Sequence, residues 1–256
     1  MPNHLILQLD SPLMAFGDTM IDARGPTRDL PNVSMITGLI ANALGWTHAM
    51  GAAHQRLQDR IVMGARLDRP GVEVRDFQTA QLAASDDGWT THGMVEKRRG
   101  GANTYKSPHI RERFYRADAH VTIALRLDPA DEAPTLEAVV AALDAPARPL
   151  FIGRKPCLPS SSLSLGTVAA NSVVEALQHV PLSQDVPARS ASVALLVPPS
   201  ELNSVAPYRS VQLTDRRDWI SGVHTGESTL HRFALPRSSF AVRTQDDNKQ
   251  QMESPS

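Results

Sequence analysis

The stretch AHVTIALRL, residues 119–127, alternates more cleanly than any other part of the chain. Val121, Ile123, Leu125 and Leu127 share one face, and His120, Thr122 and Arg126 share the other. A period of two over this length specifies a strand, so the chain must build a sheet with an apolar face that needs covering. LILQL at 5–9 repeats the pattern with Leu5, Leu7 and Leu9. Further strands are expected at 60–68 (RIVMGARLD) and 72–80 (VEVRDFQTA). Helical spacing marks VSMITGLIANALG (33–45), where Ile36, Leu39, Ile40, Ala43 and Leu44 form a stripe. Asn32 or Ser34 can cap its start and Gly45 can end it. PTLEAVVAALDAP gives a second helix, with Leu136, Val139, Val140 and Leu143 on one stripe, and PLFIG (149–153) reads as a short strand after it.

In order, residues 1–153 read strand, helix, strand, excursion, strand, helix, strand. This is the split βαβ pattern of the α+β ferredoxin-like fold, which RNA-recognition modules share and whose open sheet face they use to bind RNA. The expected organisation is a ferredoxin-like, RRM-like domain over 1–155 with an insertion at about 81–117. A β-rich region over 156–240 follows, with strands in ASVALLV, YRSVQL and TLHRFAL. The polar tail 241–256 is expected to be disordered.

Several function classes are disfavoured at once. No run approaches the ~20 apolar residues of a membrane span, and MPNHLILQLD lacks the basic start of a signal peptide, so a cytoplasmic location and no membrane partner are expected. Cys157 is the single cysteine, which excludes an internal disulfide and a thiolate metal site. There is no Walker-type glycine loop, no G-x-G-x-x-G after a strand and no H-E-x-x-H, and no two histidines stand three or four apart. No metal or cofactor is expected.

Charge is distributed unevenly. The whole chain has a formal net charge of −1, yet KRRGGANTYKSPHIRERFYR (97–116) holds seven of its 26 Lys and Arg residues and one acid, Glu112. Gly100 and Gly101 interrupt this run, Pro108 stiffens it and Tyr105 offers a stacking face, as in a finger that contacts a nucleic-acid strand. A solvated loop is the plainer alternative. DARGPTRDLPNVS (22–34) sets Arg24 and Arg28 ahead of a helix start, where an anion would meet N–H groups and guanidinium together. Alternatively, Asp22 and Asp29 pair with those arginines on the surface. In FIGRKPC (151–157), Gly153 permits close backbone approach and Arg154 and Lys155 add two cations. Such a turn can hold a phosphate or be only a surface turn. Arginine outnumbers lysine 22 to 4, which suits RNA contact but equally reflects a genome rich in Arg codons.

Taken in order, LILQLDSPLMAFG, RGPTRDLPNVSMITGLIANALG, RERFYRADAHVTIAL, PLFIGRKPCLPSSSL and TDRRDWISGVH resemble the CasD subunits of type I-E CRISPR Cascade complexes, within the RAMP superfamily. The resemblance covers nearly all of residues 3–235. It implies a protruding thumb and a subunit that caps the crRNA filament, holds the crRNA 5′ handle, touches the adjacent backbone subunit and helps seat the large PAM-reading subunit. Target DNA would be engaged indirectly, since base pairing reads the target in RNA-guided complexes. By position, Lys97, Arg98, Arg99, Tyr105, Lys106, His109 and Arg111 fall in the thumb, and Arg24 and Arg28 in the loop before the first helix. Gly153, Arg154 and Lys155 match the turn beside the handle, and Arg216 and Arg217 belong to the C-terminal RRDW, where Trp219 either packs or stacks. Val33 departs from the basic or hydroxyl residue usual at its position, and QLAASDDGWTTHGM matches poorly.

The resulting expectation is a non-catalytic crRNA-binding scaffold. The alternative is a metal-independent endoribonuclease in which Tyr105, Lys106 and His109 together supply the general base, acid and cation that 2′-OH attack needs. A third class is a protein-interaction module whose basic finger meets acidic surfaces.

Overall fold

The computed structural model describes residues 1–81, 83, 86–89, 94–96, 108–183, 191–202 and 208–242. Its framework runs β1 (Asn3–Asp10), α1 (Val33–Ala43), α2 (Gly51–Arg60), β2 (Ile61–Arg69), β3 (Val72–Ala80), β4 (His109–Ala117), β5 (His120–Leu127), α3 (Leu136–Asp144), β6 (Ser164–Ala169), α4 (Val173–His179), β7 (Ser192–Val197), β8 (Arg209–Arg217) and β9 (His224–Pro236). The fold is mixed α+β with more strand than helix among the described residues.

Seven strands form one sheet in the order β6-β1-β5-β2-β7-β9-β8, every neighbour antiparallel. The two cleanest alternations in the sequence are adjacent at its centre, with Leu5 opposite Leu125 and Leu7 opposite Ile123. Their apolar faces pack under α1 and α3, where Leu5, Leu7, Ile36, Ile40, Ile123 and Val139 are all buried. Asn32 caps α1 by accepting from the Met35 amide at 2.8 Å, and Gly45 follows the helix at φ +77°. Both features are legible in the sequence.

Three expectations change. PLFIG is not a strand: Ile152 is buried in a turn, and the fourth strand of the first sheet half is Ser164–Ala169. Residue 155 therefore does not divide the sheet, because β6 pairs with β1 and the C-terminal strands extend the same sheet beyond β2. The excursion is not aperiodic up to 117. β3 and β4 form a nine-pair antiparallel arm from Val72↔Ala117 to Ala80↔His109, so the departure from the main sheet starts at Val72. The second sheet face, which RNA-recognition modules leave open, is covered here. His120, Thr122 and Ala124 are buried, and α4 packs there with Val193, Leu195, Phe233 and Phe240.

An ion pair closes that second face. Arg66 Nε lies 2.5 Å from Asp68 Oδ1, and both side chains are fully buried. Thr122 donates to Asp68 Oδ2 at 2.7 Å. The same guanidinium donates to the carbonyls of Leu177 and Val180 at 2.6 Å and of Pro181 at 3.1 Å, tying the end of α4 to the sheet. Burial alone would favour the neutral carboxyl, but His120, Arg66 and Thr122 outweigh it and hold Asp68 below the usual carboxylate range.

A carboxyl with a depressed folded-state pKa stabilises above its unfolded value, and that contribution disappears as the pH falls through the folded value. Urea titrations should show wild-type stability declining as the pH drops below about 4. Asp68→Asn, which leaves Arg66 buried without a counter-charge, should cost about 3–5 kcal/mol at neutral pH and remove that component of the acid slope.

Candidate nucleic-acid interface

The polar loops gather at the start of α1. Ala15 donates to the Ile152 carbonyl at 3.2 Å, which lays the 152–157 turn against residues 15–16. The turn is closed by Ile152 N–H to Cys157 O at 2.7 Å and Cys157 N–H to Arg154 O at 2.8 Å. Gly153 sits at φ +85°, and a Cβ there would stand 1.6 Å from the Ala15 carbonyl oxygen. Only glycine fits this approach. Cys157 is fully buried, and burial pushes its thiol up, which leaves it a packing residue.

A C-terminal turn closes the other side, and α2 holds it. Gln58 donates to the Arg217 carbonyl at 2.9 Å, while its Oε1 accepts from the Arg217 amide at 3.2 Å and the Trp219 indole at 3.1 Å. Gln55 accepts from the Trp219 amide at 3.2 Å. The indole stacks on His54 at 4.7 Å, and the Arg217 guanidinium lies over it at 5.0 Å. Trp219 thus packs as an anchor and at the same time supports an arginine.

Between these loops is a cleft of about 380 Å³, lined among others by Phe16, Asn32, Ser34, Gly153, Arg154, Arg217, Trp219 and His224. No carboxylate lines it among the described residues. Burial, followed by the charges of Arg217 and Arg28, pushes the His224 imidazole below its ordinary value. His224 is therefore within electrostatic reach of both arginines, which favour its neutral form and leave the positive charge of the cleft to the guanidinium groups.

The candidate residues fall into distinct sets. Gly153, Arg154 and Arg217 line the cleft, and Lys155 is exposed on the same turn. Arg154 is partly committed, donating to the Phe114 and Gly25 carbonyls, each at 3.0 Å, with its guanidinium 4.8 Å above the Tyr115 ring. Arg28 pairs with Asp18 at 2.9 Å, and Arg24 lies over Phe114 at 4.8 Å. The Asp29 carboxylate is instead held between Arg116 and Arg232, so neither arginine of the loop takes the acid next to it in sequence. Arg216 faces away from the cleft toward Asp59, with Nη2 to Oδ1 at 3.8 Å. His109 and Arg111 lie at the exposed end of the arm, opposite Ala80 and Gln78, and do not line the cleft. Lys97, Arg98, Arg99, Tyr105 and Lys106 lie outside the described residues, as does the tail beyond residue 242.

Sequence reasoning passes over His224 and the pair Arg116 and Arg232. The signal for His224 is present as the last residue of TDRRDWISGVH. Nothing local marks Arg232, which reaches Asp29 across 203 positions of sequence. Four arginine N–H groups are buried without a hydrogen-bond partner among the described residues: Arg28 Nη1, Arg116 Nε, Arg216 Nε and Arg217 Nε. Of these, Arg217 lines the cleft, and buried donors left unpaired are sites that a bound acceptor would satisfy.

Comparison with known proteins gives a consistent family. The family model described as CRISPR-associated protein (Cas_Cas5) matches residues 4–244. Over 187 residues, 73% of this chain, the sequence is 28% identical to the CRISPR system Cascade subunit CasD of Escherichia coli (strain K12), covering 81% of that protein. Among solved structures, a chain of a CRISPR RNA-guided surveillance complex superposes with a TM-score of 0.65 at 24% identity, covering 97% of this chain and 98% of that one. A structure described as a Cas protein superposes at 0.60 and 22%, covering 94% and 99%. At these identities the two structures establish a shared fold.

Two glycine substitutions separate backbone strain from steric collision at this site. Gly17 is at φ +69°, and a Cβ added there would meet nothing within 4 Å, so Gly17→Ala should cost only about 1–2 kcal/mol of conformational strain. Gly153→Ala adds the collision with Ala15 and should cost at least about 1–3 kcal/mol more by urea denaturation.

Proposed function

The chain belongs to the CRISPR-associated Cas5 family, and from that premise we propose that it is a non-catalytic crRNA-binding subunit of a cytoplasmic type I-E Cascade complex. In this reading it holds the 5′ handle of the crRNA in the cleft at the start of α1. It also contacts the adjacent backbone subunit through the β3–β4 arm and helps seat the large PAM-reading subunit. Target DNA is met only through the RNA. The strand order β6-β1-β5-β2, with α1 and α3 as its two crossover helices, is what supports the finer reading of the fold as ferredoxin-like.

The observation that carries the proposal is the cleft, with no carboxylate in its lining among the described residues, in which Arg154 and Arg217 converge beside His224. Phosphates placed there would meet guanidinium groups and the positive end of α1 together. Such interactions fix the register of an RNA without reading its sequence. The closed second face of the sheet also bears on the mode of binding. RNA would run along the rim made by residues 15–32, 151–157 and 217–224 instead of across the strands.

Binding of repeat-derived RNA to the purified protein should be tight and steeply salt-dependent. Lys155→Glu, an exposed change that leaves the melting curve in place, should weaken it. Removing one phosphate interaction should lower the log–log salt slope by about 0.7 for single-stranded RNA. Unchanged affinity together with unchanged assembly into the complex would remove the turn from the site.

The endoribonuclease alternative finds no favouring observation among the described residues. His109 is exposed at the end of the arm, away from the cleft. Labelled repeat RNA incubated with the protein in EDTA should remain intact. Specific cleavage that is lost in His109→Ala would overturn the non-catalytic assignment.

A further inference from the structure

The arm is fastened to the body by the loops that form the cleft. Three successive residues at its root are each held by a side chain from those loops. Arg24 lies over the Phe114 ring at 4.8 Å, Arg154 lies over the Tyr115 ring at 4.8 Å, and Arg116 is paired with Asp29. Arg154 also donates to the Phe114 and Gly25 carbonyls, each at 3.0 Å. Arg24–Gly25 adds a short parallel pairing with Glu112 and Arg113 of β4. Beyond this root the two strands have little to hold them. Every residue of β3 except Asp76 is exposed, and β4 is buried only at Phe114 and Tyr115. A two-stranded ribbon with no packed face is marginal in water, so the arm borrows its order from its root.

We propose that Arg154 couples the cleft to the arm, so that a phosphate bound in the cleft orders β3 and β4. The inference rests on the reading of the cleft as an RNA site. Arg154 lines the cleft and holds the arm root with one planar group. The two carbonyls use two of a guanidinium's five N–H donors, so the same side chain can hold them and a phosphate together. A phosphate that fixes this group fixes the Phe114 carbonyl and the Tyr115 ring with it. The base of the link is stiff, because a Cβ at Gly153 would stand 1.6 Å from the Ala15 carbonyl oxygen and the backbone before Arg154 has no room to shift. Asp29 acts in the same direction, holding Arg116 from the loop that borders the cleft. Ordering the arm costs conformational entropy, and whichever ligand meets that cost first makes the second easier to bind. The coupling is reciprocal, so a partner that holds the arm tightens the cleft on its RNA by the same factor.

The test follows amide hydrogen exchange of the full-length protein, with and without saturating repeat-derived RNA, in peptides covering residues 72–80 and 109–117. Wild-type exchange there should slow at least about fivefold when RNA binds, the lower end of ordinary coupling between sites. Arg154→Lys keeps the charge and loses the fork, so at saturating RNA its arm should gain no such protection. Asp29→Asn, a change at the surface, removes the tie to Arg116 and should also reduce the protection; it serves where Arg154→Lys fails to fold. Full wild-type protection in either variant would show that the RNA reaches the arm directly and would overturn the coupling. No protection in the wild type, with salt-sensitive RNA binding intact, would overturn the coupling and leave the RNA-binding reading standing. No salt-sensitive binding at all would overturn that reading and the coupling with it.

Discussion

The guanidinium of Arg66 determines what the rest of the molecule can do. It is fully buried, and through Asp68, Thr122 and the carbonyls of Leu177, Val180 and Pro181 it joins β2, β5 and the end of α4. A buried ion pair is a weak source of net stability but a strict one, because neither partner tolerates the loss of the other. Its effect is to fix α4 and the strands that follow it over the face that the first half of the sheet would otherwise leave bare. A module with this strand order and an open face could bind RNA on its strands. This one has filled that face with Val173, Leu177, Leu195 and Phe233, and its cations are instead on the loops at the sheet's rim.

The legibility of the fold follows the hydrophobic effect closely. β1, β5, α1 and α3 each bury an apolar stripe, and their periods are readable. α2 is not, because its buried positions are His54, Leu57, Gln58 and Arg60, of which one is apolar. Such a helix is held by hydrogen bonds to distant chain, and Arg60 alone donates to the carbonyls of Pro129, Glu132 and Pro134. Yet α2 is the element that positions the C-terminal turn of the candidate site, through Gln55 and Gln58. PLFIG fails in the opposite sense. It is an apolar run whose side chains are wanted in the core, but the backbone turns at Gly153 to meet Ala15. Periodicity cannot tell a buried turn from a short strand.

The candidate site is legible as residue types and much less so as geometry. The glycine-arginine-lysine turn and the loop before α1 do meet, which the sequence suggests only as two separate anion sites. Arg216 and Arg217 read as a pair, but of the two only Arg217 lines the cleft at the start of α1, and the pairing with β9 shifts register between them. Of the arm, β3 is read as a strand at 72–80 although it is exposed almost throughout, while its partner β4 is hidden in the basic run, where charged side chains stand on both faces. Its anchorage comes from single residues, Phe114 and Tyr115, which are buried where Leu13–Met14 and Arg24–Gly25 pair with β4.

The excess of arginine over lysine has a largely structural explanation. Arg60, Arg66, Arg148 and Arg154 each donate to main-chain carbonyls at places where several acceptors must be met by one group. A planar fork does this, and a single ammonium does not. Arg56, Arg116, Arg126 and Arg232 are engaged by carboxylates. Abundance of arginine is thus a poor guide to where RNA would lie, and so is raw positive charge along the sequence. The more selective criterion is which buried guanidinium donors remain unsatisfied after the fold has used the others. Applied to the described residues, it selects Arg28, Arg116, Arg216 and Arg217. Arg28 and Arg217 both lie within electrostatic reach of His224, whereas Arg116 is held by Asp29 and Arg216 lies toward Asp59. Two of the unused donors, on Arg28 and Arg217, thus stand beside His224 at the cleft, and that is the physical reason to place a polyanion there.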